Sequence, residues 1–333
     1  MQPAQRIESI GEGAVKISMW LAMLASALTA PAAVSQSYPV KPIHNVINVG
    51  GGGETIARLV AAKMSESMGQ PILIEQNAAA AGSIAAAAVA KAAPDGYTFL
   101  YTTTNAQVYR PLLARNVPYD PIRDFTPISK LGEAILCVVV PPDSRFRTMK
   151  DIVTFAKQNP GKLLYATSGV GTTHHLSAEV LSALTGIQMV HVPYKDSSQA
   201  TNDILGARVP ILWTIFGTAY PFAISGKLRI VALNNTRRFK LVPDVPTIGE
   251  QIPGYEPPPG WTAYFGPRGM PQPIVQRLNS EIIKAINQPD VASRMDALGL
   301  VIVTSTPQEL GAELKRDLER SAQIVKAAGI KPE

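Results

Sequence analysis

Residues 43–63 read Ile-His-Asn-Val-Ile-Asn-Val-Gly-Gly-Gly-Gly-Glu-Thr-Ile-Ala-Arg-Leu-Val-Ala-Ala-Lys. An apolar run ends at Val49, four glycines follow from Gly50 to Gly53, and Ile56, Leu59, Val60, Met64 and Met68 then recur at helical spacing. This pattern predicts a buried strand, a glycine loop and an amphipathic helix. A helix N-terminus offers unpaired N–H groups and the positive end of the macrodipole, and glycine lets a ligand approach the backbone, so the loop is a candidate anion cradle. The alternative is a tight connection that touches no ligand, and spacing alone does not choose between them.

Outward from this stretch the alternation continues. Pro71-Ile72-Leu73-Ile74-Glu75 predicts a second strand, residues 83–93, rich in alanine, a helix ended by Pro94-Asp95-Gly96, and Tyr97 to Thr102 a third strand. Strand, helix, strand, helix, strand is the pattern of a parallel sheet, whose loops gather at the carboxyl edge of the strands. The glycine loop, the loop from Gln76 to Gly82, and Thr102 to Asn105 therefore belong to one edge. Pro118 to Pro127 is proline-rich and polar, and it leads into the apolar strand Ile135 to Val140, read as the first crossing between two domains. A second alternation follows, with helices predicted at 148–158, 172–184 and 199–205 and strands at 163–167, 189–192, 211–215 and 228–233. After Pro257-Pro258-Pro259 the strand Trp261 to Phe265 crosses back. In the tail, Pro273 opens a helix with Ile274, Leu278, Ile282 and Ile286 on one face, and Asp290 is placed to cap the next. Thr306-Pro307-Gln308-Glu309 is a capping box. Two crossings suit hinge closure around a ligand.

A length of 333 residues with 46% hydrophobic content supports two domains with sizeable cores. The start differs from the rest. Residues 17–34 follow Lys16, are apolar, and end in small residues, with Ala30-Pro31-Ala32 and Ala33-Val34-Ser35 as candidate cleavage sites. This is the arrangement of a secretory signal peptide, so residues 1–35 are set aside and the mature protein is expected to be exported. The net charge is +6, and it stays +6 without residues 1–35, which hold Arg6, Lys16, Glu8 and Glu12. The basic residues are scattered and not interleaved with aromatics, which argues against nucleic acid and leaves a mild field favouring small anions or an anionic membrane surface. The single cysteine, Cys137, lies in an apolar run and reads as a buried bystander.

A second candidate site is Ala166-Thr167-Ser168-Gly169-Val170-Gly171-Thr172-Thr173-His174-His175-Leu176, again a strand that ends in hydroxyls and glycines before a helix. Ser168, Thr172 and Thr173 offer hydroxyls and the N–H groups beyond Gly169 can hold an anionic group, so two such loops could clamp both ends of a dicarboxylate. Against this stands ordinary N-capping by Thr172. Tyr194 and Lys195 fall at the same edge and can face an anion, or can form a solvated loop in which Lys195 pairs with Asp196. No catalytic constellation emerges. His174 and His175 are adjacent and point about 100° apart on a helix, which is not a metal pair. Ser168-Gly169 is not a nucleophile elbow, and Gly50 to Gly53 lacks the marks of a phosphate or dinucleotide loop.

Four further stretches carry a family resemblance: Ala90-Lys91-Ala92-Ala93-Pro94-Asp95-Gly96-Tyr97-Thr98, Pro118-Tyr119-Asp120-Pro121-Ile122-Arg123-Asp124-Phe125-Thr126-Pro127-Ile128, His191-Val192-Pro193-Tyr194-Lys195, and Pro243-Asp244-Val245-Pro246-Thr247 with Pro253-Gly254-Tyr255-Glu256. From Tyr38 onward the chain resembles the Bug-type extracytoplasmic solute receptors, the binding proteins of tripartite tricarboxylate transporters. The resemblance implies an α/β, type II-like, two-lobe periplasmic binding-protein fold. Its lobes would be residues 36–138 plus 262–333 and residues 139–261, joined by two crossing segments around a ligand cleft. It further implies a monomer without enzymatic activity or cofactor that delivers a mono- or dicarboxylate, aliphatic or aromatic, to inner-membrane permease subunits. The alternative is a ligand-sensing subunit that docks on a membrane signalling partner.

Carried over by motif, the family's first-loop glycines fall on Gly50 and Gly51, with Gly52 beside them, and its acidic residue on Glu54, expected to accept a hydrogen bond from a ligand hydroxyl, amine or water. Asn77, Ala80 and Gly82 represent the second loop, and Thr103 and Thr104 the third strand end. In the second lobe Ser168, Gly169, Gly171, Thr172, His175, Tyr194 and Lys195 complete the expected ligand-binding set. The chain also departs from the family. Asn48-Val49 stand where two prolines are usual, and Ala78 to Ala81 replace a glycine-bearing segment. Alanine tolerates positive φ poorly, so this loop is expected to be reshaped. Asp196-Ser197-Ser198-Gln199 likewise replaces Gly-Gly-Ala-Pro and is expected to alter the far-end pocket.

Overall fold

Strand β1 (Ile43–Ile47) is buried on nearly its whole length, and helix α1 (Gly52–Met68) turns Ile56, Val60, Met64 and Met68 inward against it. The helix begins inside the glycine run, so Gly52 and Gly53 form its first turn and are not loop residues as the sequence reading had them. A computed structural model describes residues 38–77, 79–195, 197–327 and 329–330. The expected signal peptide, residues 1–35, lies outside the described residues.

Strand β2 (Ile72–Gln76), helix α2 (Ser83–Ala90) and strand β3 (Thr98–Thr103) follow in the predicted order. Both β2 and β3 pair with β1 in parallel, which places the loops after these strands at one edge. The polar stretch beyond residue 118 holds a strand that the sequence reading missed, β4 (Phe125–Ala134). Its neighbour β5 (Leu136–Val140) is fully buried and belongs to another sheet, so the chain changes sheet at the single residue Ile135. The Ile135 amide donates to the Gly299 carbonyl at 2.7 Å, and its own carbonyl accepts from the Phe216 amide at 2.8 Å.

The second alternation comprises α3 (Met149–Gln158), β6 (Leu163–Thr167), α4 (Thr173–Thr185), β7 (Met189–Pro193), α5 (Ser197–Leu205), β8 (Leu212–Ile215), α6 (Phe216–Ile224) and β9 (Arg229–Asn234). Helix α6, with Pro221 inside it, was not predicted. Strand β10 (Trp261–Pro267) returns to the first sheet, followed by α7 (Gln272–Ile286), α8 (Pro289–Ala297), β11 (Leu300–Ile302) and α9 (Pro307–Ala327). Thr306 and Glu309 bond reciprocally as a capping box before α9. Asp290, expected as a cap, instead sits within the first turn of α8, where it pairs with Lys63 at 3.0 Å.

The first sheet has the order β11-β4-β10-β3-β1-β2 and the second β7-β6-β8-β5-β9. Their cores are distinct. One gathers Leu100, Val108, Trp261, Phe265, Leu310 and Leu314, and another Val138, Met149, Ile152, Tyr165, Leu181 and Trp213. Cys137 is fully buried beneath the opposite face of the second sheet, and burial pushes its thiol pKa far upward. Residues Lys41–Glu333 form one unit with a two-lobe α/β architecture. Among the described residues no helix is long and apolar enough to cross a membrane.

Candidate ligand-binding cleft

A cavity of about 420 Å³ is lined by elements of both sheets. One wall is the junction of β1 and α1, with Asn48, Val49, Gly50, Gly52 and Gly53, joined by Thr103, Thr104 and Asn105 at the end of β3. The other wall comprises Leu136 of β5, Thr173 and His174 at the start of α4, and Ile215, Gly217 and Thr218 where β8 runs into α6. Trp261, Leu298 and Leu300 add apolar surface. Among the described residues the lining contains neither a carboxylate nor a lysine or arginine.

The chemistry of the first wall follows from the helix start. Thr55 makes the first backbone bond back to Gly51, at 3.1 Å, so the N–H groups of Gly52, Gly53 and Glu54 have no intrahelical acceptor. Gly51 has φ +60°, a conformation that an L side chain adopts at a cost, which explains a glycine there. At Gly53 a Cβ would lie 3.0 Å from the Val49 side chain, which keeps this corner free of side chains. The result is a positive dipole end with accessible backbone.

Two polar side chains on the walls are buried, each with one unsatisfied atom. Asn48 is 8% exposed; its Nδ2 donates to Thr102 Oγ1 at 2.9 Å and to the Gly82 carbonyl at 3.3 Å, while its Oδ1 has no partner among the described residues. His174 is 6% exposed; its Nδ1 lies 2.7 Å from Ser168 Oγ and its Nε2 has no partner among the described residues. Burial lowers the His174 pKa to about 4, so the ring is neutral at physiological pH. Across the cleft the Thr173 hydroxyl donates to Asn105 Oδ1 at 3.2 Å. Trp261 donates its Nε1–H to Asp317 at 2.7 Å, which fixes the indole.

Of the residues anticipated from sequence, Gly50, Gly52, Thr103 and Thr104 line this cavity. The others have different surroundings. Glu54 accepts from Arg58 Nε at 2.9 Å and from Gln76 Nε2 at 2.8 Å. Asn77 Oδ1 accepts from the Ala79 amide, in a turn that leads into the single helical turn Ala79–Gly82 containing Ala80. Ala79, Ala80 and Ala81 adopt no positive φ; the one described non-glycine residue with positive φ is Ala207. Gly82, with φ +84°, packs on Asn48: a Cβ there would lie 2.7 Å from Nδ2.

The second-lobe loop is bonded to itself. Thr172 caps α4, accepting from the His175 amide at 3.3 Å and donating to the Gly169 carbonyl at 2.8 Å, which is the bland reading considered above. The Gly171 amide donates to His175 Nδ1 at 3.1 Å, and at Gly171 a Cβ would lie 2.6 Å from Leu113 of the first lobe. His175 stacks on His191 with ring centres 4.1 Å apart, and His191 in turn stacks on Tyr165 at 5.0 Å. Burial lowers both histidine pKa values, that of His191 to about 4 with a further contribution from His175. Tyr194 donates to Asp203 at 2.7 Å, and Lys195 is exposed.

Sequence reasoning named His175 where His174 faces the cleft, and it left out Asn48, Thr218 and Trp261 from the expected set. Asn48 carried a usable signal, as a polar residue at the end of a buried strand directly before the glycines. Thr218 carried none, because α6 itself was not recognised.

A model of the tripartite tricarboxylate transporter family receptor matches residues 56–330. A protein of Pseudomonas sp. (strain P51), the UPF0065 protein in the tcbD-tcbE intergenic region, is 35% identical over 96% of this chain and 95% of its own length. Among solved structures, Rpa4515 of R. palustris with adipate is 30% identical with a TM-score of 0.80, covering 89% of this chain and 100% of that one. The periplasmic binding protein BugD is 28% identical with a TM-score of 0.76 over the same shares of the two chains. With its two-lobe fold and a family match across most of its length, the chain belongs to the tripartite tricarboxylate transporter family of receptors, which are solute-binding transport components and not enzymes.

Proposed function

We propose that the chain is an exported periplasmic receptor that captures a small organic carboxylate between its lobes and delivers it to the permease of a tripartite tricarboxylate transporter. The observation that carries this reading is a cleft whose described lining has no charged side chain and whose first wall presents the free amides of a glycine helix start. Such a site holds an anion by oriented dipoles, which act strongly where water is excluded, and it releases the anion without breaking an ion pair. The adipate in the R. palustris relative supports a carboxylate.

In this reading the amides of Gly50 and Gly52, with Thr103 and Thr104, hold the carboxylate. Leu136, Ile215, Trp261, Leu298 and Leu300 cover an apolar body, and Thr218 and His174 meet the far end. The two lobes follow the two sheets, the chain leaving the first at Ile135 and returning to it with Trp261, three residues before and one residue before the bounds expected from the resemblance, and a monomer closes around its ligand. The overall charge of +6 favours the approach of anions.

Titration calorimetry of residues 36–333 with adipate, propionate and benzoate, each beside its amide, tests the capture step. At least one acid is expected to bind and its amide to bind far more weakly. Equal binding of acid and amide would contradict a carboxylate site. For delivery, a strain lacking the receptor is expected to lose uptake of that acid and to regain it on complementation; unchanged uptake would contradict a transport role.

A further inference from the structure

The second lobe meets the first where α4 begins. Gly171 approaches Leu113 so closely that a Cβ would lie 2.6 Å from its Cδ1, Thr173 donates to Asn105 Oδ1 at 3.2 Å, and Leu176 is fully buried in the cluster that holds Trp261, Leu310 and Leu314. Thr173 and His174 of the same run line the cleft. Gly171 has φ +71°, a conformation that an L side chain adopts at a cost, so the turn that brings it to Leu113 has one specific shape.

Two stacked histidines hold that turn from behind. The Gly171 amide donates to His175 Nδ1 at 3.1 Å, and the His175 and His191 rings lie 8° from parallel with centres 4.1 Å apart. His191 Nε2 is 2.7 Å from Thr167 Oγ1, a hydroxyl that accepts from the Gly169 amide at 3.1 Å. Each histidine thus anchors one glycine of the loop, His175 directly and His191 through Thr167. A backbone N–H can only donate, so His175 Nδ1 carries no proton and the ring proton sits on Nε2, 3.8 Å from Glu179. His175 itself is not among the described lining residues of the cleft.

We infer that His175 is a positioning residue of the cleft: as the acceptor for the Gly171 amide it holds the turn that docks on Leu113, and so sets how firmly the lobes close on a ligand. The inference goes beyond the proposed carboxylate capture, and its affinity measurement alone rests on that reading.

The experiment separates the acceptor from the ring. His175→Asn keeps an acceptor atom at the δ1 position and loses the stack, whereas His175→Phe keeps a ring for the stack and loses the acceptor. Hydrogen exchange at the Gly171 amide is followed by NMR in residues 36–333 without ligand. Protection is expected in the unsubstituted protein and in His175→Asn, with exchange about tenfold faster or more in His175→Phe. Titration calorimetry uses whichever of adipate, propionate and benzoate binds the unsubstituted protein. The affinity is expected to stay within about threefold in His175→Asn and to fall about tenfold in His175→Phe, because a loop that must be ordered on closure costs affinity. His175→Phe behaving as the parent, or His175→Asn impaired as much as His175→Phe, would assign His175 to ring packing and overturn the inference. If His175→Phe does not fold, the imidazole 15N spectrum of the unsubstituted protein decides. A proton on Nε2 with Nδ1 bare is expected, and the opposite tautomer would overturn the inference. Exchange in the expected order without binding of any acid sinks the carboxylate reading and not this inference, whereas acid binding with that order lost sinks this inference alone.

Discussion

Gly82 has φ +84° and lies against the Asn48 amide, where a methyl group would come within 2.7 Å of Nδ2. Gly82→Ala therefore combines backbone strain with a clash and is expected to cost about 1–3 kcal/mol of stability in a urea titration. An unchanged midpoint would show that the Asn48 amide is not held as described. Two histidines give stability a pH dependence of definite sign. His174 and His191 have pKa values lowered to about 4 by burial, against about 6.5 in an unfolded chain. Above pH 6.5 both states bind the same protons and the penalty is absent. As the pH falls from 6.5 toward 4, the unfolded chain takes up protons that the native protein does not, and stability drops by up to about 1.4 kcal/mol per pH unit for each group. His191→Phe, which retains a ring for the stack, is expected to flatten the melting profile in that window; an unchanged slope would remove His191 from the account.

At the scale of elements, the tie between α4 and its preceding loop is local and testable. Thr172 both caps the helix and closes the loop onto the Gly169 carbonyl, so Thr172→Ala should lower stability by about 0.5–2 kcal/mol. Stability equal to the parent would mean that the loop is held by other contacts. The parallel strands and the capped helices were legible in the sequence because their periodicity and caps are contiguous. Strand β4 was not: Pro127, Lys130, Gly132 and Glu133 make it look like a polar connection. The lysine is buried only because Glu133 and Glu313 both pair with it, and Glu313 lies far along the chain in α9. Helix α6 was hidden by Pro221 and by starting directly at the end of β8. The glycine run was read correctly as a strand-to-helix junction, yet the helix starts at Gly52, since two glycines within a first turn leave no pattern to detect.

At the scale of the molecule, the cleft is a property of where the two sheets exchange the chain. Ile135, the one residue between β4 and β5, is bonded on one side to Gly299 and on the other to Phe216, the first residue of α6. Gly217 then packs so closely that a Cβ would lie 2.5 Å from the Leu298 carbonyl oxygen. Gly217 and Leu298 both line the cavity, so the wall of the cleft and the junction between sheets are one structure. No pattern in the sequence brings residues 135, 217 and 298 together, which is why the glycine wall was anticipated and the opposite wall was assigned to the neighbouring loop. The architecture places free helix-start amides opposite a surface in which Leu136 and Ile215 stand beside Thr173, His174 and Thr218, with no charged group among the described lining residues, and the account stands on that arrangement binding an organic anion. The direct test is the melting midpoint of residues 36–333, freed of co-purified ligand by unfolding and refolding, against a panel of aliphatic, aromatic and hydroxy carboxylates. A midpoint that rises with the concentration of one acid class is predicted, corresponding to about 2.7 kcal/mol at a hundredfold excess over Kd. A midpoint that no carboxylate moves, in protein that melts cooperatively, would contradict it.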